Sequence, residues 1–209
     1  MITKDKDSQD IITPEIALEF LKAGNGRFFN KTSSERDYHY QILETAGGQF
    51  PFAVILSCID SRVPTEIIFD QGIGNLFNAR IAGNLVNEDI LGSMEFACKL
   101  AGTKLVVVLG HTACGAVKGA CDDAKLGNLT TMLAKIKPAV NAVTSPADAS
   151  LRNSSNSDFV DNVSAKNVQM SIARILKESE VLAEMAKNGE IKIIGGMYDI
   201  NTGAVDFYE

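Results

Sequence analysis

Two sulfurs and one imidazole stand where this chain should turn. Cys58 closes the apolar run 52–57, and His111 and Cys114, in an H-x-x-C spacing, follow the run 105–109. Thiolates and a neutral imidazole suit zinc, and three protein ligands leave a fourth position for water or substrate, which is the count of a catalytic site. Only His111 and Cys114 are close in sequence; Cys58 lies far upstream, so the fold alone can bring it in. The residues by themselves leave two readings open: a zinc site, or two buried thiols with a histidine capping a strand. Asp60-Ser61-Arg62, just after Cys58, reads without that neighbour as a turn with a surface ion pair.

The elements around these residues predict an α/β fold. The runs 52–57, 76–81, 104–109 and 192–198 read as strands, and the unbroken apolar stretch of the third indicates burial on both faces, as in a mostly parallel four-stranded sheet with helices on each side. Neighbouring parallel strands deliver their carboxyl ends to one edge, where such folds place ligand crevices. Residues 204–208 add a short edge strand after the turn at Asn201-Thr202-Gly203. Helices are expected over 14–29, capped by Thr13 and Pro14, over 36–46, over 88–101 with Gly102 as stop, from Cys114 onward, over 129–143 with a break before Pro138, and as one long helix over 158–187. The helix 14–29 precedes the first strand and must pack outside the domain or reach across to a partner. The Ser- and Asn-rich stretch around 144–156 reads as an exposed loop.

Composition narrows the function classes. A length of 209 residues fits one domain, read as a helical arm (1–47) and an α/β zinc-binding core (48–209). The net charge of −6, with no basic cluster, argues against nucleic acid, and no apolar run is long enough for a membrane span. The first ten residues are polar and lack a signal-peptide core, which points to the cytoplasm, although a chain trimmed of its leader would look the same. Cys98 and Cys121 read as small buried hydrophobes, and His39, between Tyr38 and Tyr40, as a surface or interface residue.

C-I-D-S-R-V at 58–63, R-I-A-G-N at 80–84, G-H-T-A-C-G at 110–115 and G-G-M-Y-D-I-N-T-G at 195–203 resemble the β-class carbonic anhydrases. G-N-G-R-F at 24–28 and G-Q-F-P at 48–51 fit the same family, so the resemblance spans most of the chain. It implies a zinc lyase that interconverts carbon dioxide and bicarbonate, with one Zn2+ per subunit on Cys58, His111 and Cys114. It further implies an Asp60-Arg62 dyad that orients a zinc-bound hydroxide. Two thiolates donate more charge than two imidazoles, which makes the metal-bound water less acidic and gives such a dyad its purpose.

The resemblance also implies a small apolar substrate pocket made by Gln49, Phe77, Phe96 and the Gly115 backbone. In the family Gln49 and one of the aromatics come from the neighbouring subunit, so a homodimer or larger homo-oligomer is expected. Many relatives carry tyrosine where this chain has Phe96, and any role of that hydroxyl is absent here. One subset of the family closes its site by swinging the aspartate onto zinc at lower pH. That subset has a tryptophan three residues before its first cysteine, where this chain has Ile55, which implies an open site with water as fourth ligand at neutral pH. Competing readings are a carbon disulfide or carbonyl sulfide hydrolase on the same site, and a zinc-stabilised assembly protein without turnover.

Overall fold

The computed structural model describes residues 5–208. Five strands, β1 (Ala53–Ser57), β2 (Leu76–Arg80), β3 (Leu105–His111), β4 (Lys192–Tyr198) and β5 (Val205–Tyr208), form one sheet in the order β2-β1-β3-β4-β5. All pairs are parallel except β4 with β5. The chain runs outward from β1 to β2 on one side and from β3 to β4 on the other. The boundary between β1 and β3 is therefore the switch point at which an open α/β sheet forms a crevice.

Alternation along the central strands divides the core. Ala53 and Ile55 of β1, with Leu105, Val107 and Leu109 of β3, pack against α2 (Pro14–Phe29) and the segment after α4 (Thr65–Ile68) through Ala17, Leu18, Leu21, Ile68 and Phe69. Val54, Leu56, Val106 and Val108 face the other way, onto α5 (Glu88–Glu95), the π-helical turn Phe96–Leu100, α9 (Ser157–Glu178) and α10 (Glu180–Lys187). Side chains of a strand point to opposite faces in turn, so a run of β-branched and leucine residues fills two cores at once. A third cluster joins Cys58 and Cys114 to Val117 and Cys121 of α6 (Gly115–Cys121), Leu133 of α7 (Gly127–Ala134), Ala139 of α8 (Lys137–Ala142) and Phe159 and Val163 of α9.

Several expectations change. The stretch 158–187 is two helices, because Ser179 adopts an extended conformation and its Oγ caps Leu182 N. The helix expected over 88–101 passes into the π-helical turn at Phe96, and β3 reaches His111, so the imidazole is part of the strand and not of the turn after it. The break expected before Pro138 is present, between α7 and α8. Helix α1 (Lys6–Asp10) was not foreseen, and the helix expected over 36–46 is α3 (Tyr38–Thr45), slightly shorter. In α1, Asp5 and Ser8 form a reciprocal cap and buried Gln9 donates to the carbonyls of Pro51 and Ala101. Met1 to Lys4 of the polar start lie outside the described residues. Helix α2 runs unbroken through Gly24 and Gly26 and buries Ala17, Leu18 and Leu21 against its own sheet, while Ile16 and Phe29 are exposed. His39 is exposed, and Cys98 and Cys121 are buried free thiols.

Candidate metal centre

Ser57 pairs with Leu109, so Cys58 and His111 leave the sheet side by side at its carboxyl edge. Cys114 follows as the residue that opens α6. The two sulfurs stand 4.0 Å apart, and the ligand atoms of Cys58, His111 and Cys114 all lie within 4.8 Å of one another. All three residues are buried. A tetrahedral ion with metal–sulfur bonds of about 2.3 Å fits a sulfur pair at this spacing with an angle near 120°.

The imidazole is held in one tautomer. His111 Nδ1 lies 2.9 Å from the carbonyl oxygen of Thr112, which can only accept, so Nδ1 carries the hydrogen. Nε2 is then a bare lone pair, buried and without a hydrogen-bond partner. A buried unpaired nitrogen beside two sulfurs is costly unless a cation takes it up. The thiols give the same indication. The hydrogen bond with Cys114 pulls the Cys58 thiol well below its ordinary range, against burial, with help from His111 and the Gly83 amide, while that bond and burial push Cys114 up. Two adjacent thiolates repel, and a divalent ion is what lets both ionise.

The turn after β1 places the carboxylate. Asp60 Oδ1 accepts from the Arg62 backbone N–H and from Arg62 Nε, each at 2.9 Å, and Oδ2 accepts from Nη2 at 2.7 Å. This is an Asx-type turn closed by a bidentate ion pair. Arg62 holds the Asp60 carboxyl well below the usual carboxylate range, against partial burial, and Asp60 in turn raises Arg62. Asp60 Oδ2 lies 3.9 Å from His111 Nε2, so the ionised carboxylate overlooks the ligand set.

Arg80, at the end of β2, ties this turn to the sheet: its Nε donates to Cys58 O at 2.9 Å and its Nη2 to Asp60 O at 2.7 Å. Arg80 had no individual role legible in the chain; its place in R-I-A-G-N at a strand end was the only signal. Beyond it, Gly83 N–H donates to Cys58 Sγ at 3.4 Å. Gly83 has φ +73°, and an added Cβ would lie 2.7 Å from Ile136 Cδ1, so glycine is required there.

The residues expected to make the substrate pocket do not all converge in one chain. Gly115 adjoins Cys114 at the exposed start of α6, and a Cβ added there would meet nothing within 4 Å. Phe77 and Phe96 pack edge to face at 6.1 Å in a groove of about 820 Å³ with Val54, Ala79, Arg80 and Ile90; none of Cys58, Asp60, His111 and Cys114 lines it. Gln49 is exposed in the segment before β1.

Residues 53–205 match the family model described as carbonic anhydrase. Carbonic anhydrase 2 of Mycobacterium tuberculosis is 34% identical over 199 residues, covering 91% of this chain and 90% of that protein. Among solved structures, a β-carbonic anhydrase of Aspergillus fumigatus superposes with TM-score 0.71 at 27% identity over 90% of this chain and 88% of its own. One of two tetrameric β-carbonic anhydrases of Sordaria macrospora shares the fold, with TM-score 0.68 at 24% identity over 81% of this chain and 89% of its own.

Proposed function

From the premise that the chain belongs to the β-carbonic anhydrase family and is a carbonate dehydratase, we propose that it interconverts carbon dioxide and bicarbonate on one zinc ion per subunit, held by Cys58, His111 and Cys114. The observation that carries the metal assignment is the bare, buried Nε2 of His111 facing two sulfurs within 4.8 Å. Zinc, when bound, acidifies a water ligand so that a nucleophile for carbon dioxide is available near neutral pH.

The chain's own residues supply orientation. Asp60, kept ionised by Arg62, is an acceptor only, so Oδ2 takes a hydrogen bond from the attacking oxygen and turns its lone pair towards substrate. Arg62 fixes both carboxylate oxygens and so prevents rotation of the acceptor. Carbon dioxide carries no net charge, so its pocket needs no charged clamp, and the Gly115 backbone borders it in this reading. Arg80 holds the Cys58 and Asp60 carbonyls, which keeps the ligand and the acceptor in register.

Gln49, Phe77 and Phe96 complete the pocket in this reading by crossing between subunits. The exposed apolar residues Ile42, Leu43, Phe96 and Leu100 support association of subunits, as does the tetrameric relative from Sordaria macrospora. Four free cysteines agree with a reducing, cytoplasmic location. Among the described residues no helix is long and apolar enough to cross a membrane.

The test is stopped-flow hydration of carbon dioxide with and without a zinc chelator, alongside metal analysis. One zinc per subunit and chelator-sensitive hydration are expected. Stoichiometric zinc without hydration would leave an assembly protein, and turnover confined to carbonyl sulfide would reassign the substrate.

A further inference from the structure

Helix α9 buries an unusual polar row. Ser164, Asn167 and Ser171 are 2%, 3% and 5% exposed, and Asp161 lies one turn before them. Buried polar side chains are unfavourable unless hydrogen-bonded, so their partners show what the row is for. Asn167 Nδ2 donates to Gly83 O at 2.8 Å, and Ser171 Oγ to Asn84 O at 3.4 Å. Asp161 Oδ1 accepts from Ala113 N–H at 2.8 Å. One of the turns held in this way carries His111 and Cys114, and the other donates a hydrogen bond to Cys58. Ala113, with φ +54°, lies between His111 and Cys114, and Gly83 is the residue whose amide points at Cys58 Sγ.

The helix also lies directly on β3. A Cβ on Gly110 would come 2.7 Å from Val168 Cγ2, so the strand that ends in His111 touches α9 through a glycine. Asp161 itself is not in the group of ligand atoms, and Asn167 reaches it only through the Gly83 backbone. Each acts through one backbone group: Asp161 through the amide of a left-handed alanine that would otherwise relax, Asn167 through the carbonyl of Gly83, the residue whose own N–H donates to the Cys58 sulfur.

We propose that α9 is the positioning element of the metal site: Asp161 fixes the His111–Cys114 turn through the Ala113 amide, and Asn167 aims the Gly83 amide at the Cys58 sulfur. The proposal rests on zinc binding as read above. Ser164 takes no part in it, since its hydroxyl bonds back to Val160 O within the helix.

The experiment compares the full-length chain with Asp161→Ala, Asp161→Asn and Asn167→Leu. It measures zinc affinity by chelator competition, the absorption of the cobalt-loaded forms, and thermal melting of the metal-free forms. Asp161→Ala and Asn167→Leu should weaken zinc binding by about 10- to 100-fold, the usual effect of removing an outer-shell partner. Asp161→Asn should restore binding to within about threefold, because its amide oxygen still accepts from Ala113. In cobalt-loaded Asn167→Leu, the thiolate-to-metal charge-transfer band should move to lower energy as Sγ loses its N–H donor, a change that altered folding stability alone does not produce. Zinc affinities within about twofold of the parent chain with unchanged cobalt spectra would overturn the proposal. Equal weakening by Asp161→Ala and Asp161→Asn would also overturn it, by showing that charge and not hydrogen bonding matters. Metal-free variants that no longer fold would reassign the row to holding the fold. A parent chain that binds no zinc would instead defeat the functional reading, before any variant is compared.

Discussion

Asp60 has two environments at once: a guanidinium fastened to both its oxygens, and a histidine nitrogen 3.9 Å from Oδ2. A surface ion pair would satisfy the first observation, but only a carboxylate with work beside the ligand set satisfies both. Asp60→Asn keeps the size and removes the charge. Zinc content should stay at one per subunit while kcat for hydration falls by about a hundredfold or more, read by metal analysis and stopped flow on the same sample. Unchanged turnover would remove the dyad from the mechanism. The candidate ligands were legible because cysteine and histidine stand out at strand ends, but their spacing left zinc and buried thiols both open and only the family resemblance pointed to zinc. Arg80, Asp161 and Asn167 were not legible, because each acts on a backbone group and a backbone partner leaves no spacing in the sequence.

Among the elements, the division of α9 from α10 shows where periodicity misleads. Apolar spacing continues across 158–187, and nothing in it marks Ser179 as a break. The structure makes Ser179 end one helix and cap the next: its Oγ accepts from Leu182 N at 3.1 Å and donates to Glu95 Oε1 of α5 at 2.6 Å. The tertiary partner decides the matter, since a serine inside a helix gains less than one that caps a helix and satisfies a carboxylate. Ser179→Ala should lower unfolding stability by about 1–2 kcal/mol, seen as a lower urea midpoint, with zinc content unchanged. A midpoint equal to the parent's would mean that the cap contributes nothing.

Across the whole molecule, the N-terminal segment is locked to the core by one carboxylate. Asp70, 1% exposed in its side chain, pairs with Arg27 of α2 at 2.5 Å and with Arg36, and Ser34 N also donates to it. Burial alone would raise this carboxyl, but the Arg36 and Arg27 hydrogen bonds outweigh it and hold the group below its ordinary value. A depressed folded-state value means stability that is present above the unfolded carboxyl's range, about pH 4, and lost as pH falls through the folded value. Thermal melts of the parent chain should therefore lose stability in acid below about pH 4. Asp70→Asn, which tolerates the same left-handed backbone (φ +46°), should be less stable by about 3 kcal/mol near neutrality, with much of that acid dependence gone. Parallel pH profiles for the two proteins would show that Asp70 does not link the segment to the core.

The sequence alone pointed to the candidate donor residues, the strands beside them and the layered α/β architecture. These depend on side-chain chemistry and on local periodicity, and both are written along the chain. Tertiary structure decided the rest: that Cys58 meets His111 at the sheet's switch point, that α2 covers this chain's own core, that Phe77 and Phe96 line a groove apart from the candidate ligands, and that α9 holds both the His111–Cys114 turn and the Gly83 turn beside Cys58. Such contacts join residues far apart in the chain through parallel pairing and backbone hydrogen bonds, for which no residue type or spacing is a signal.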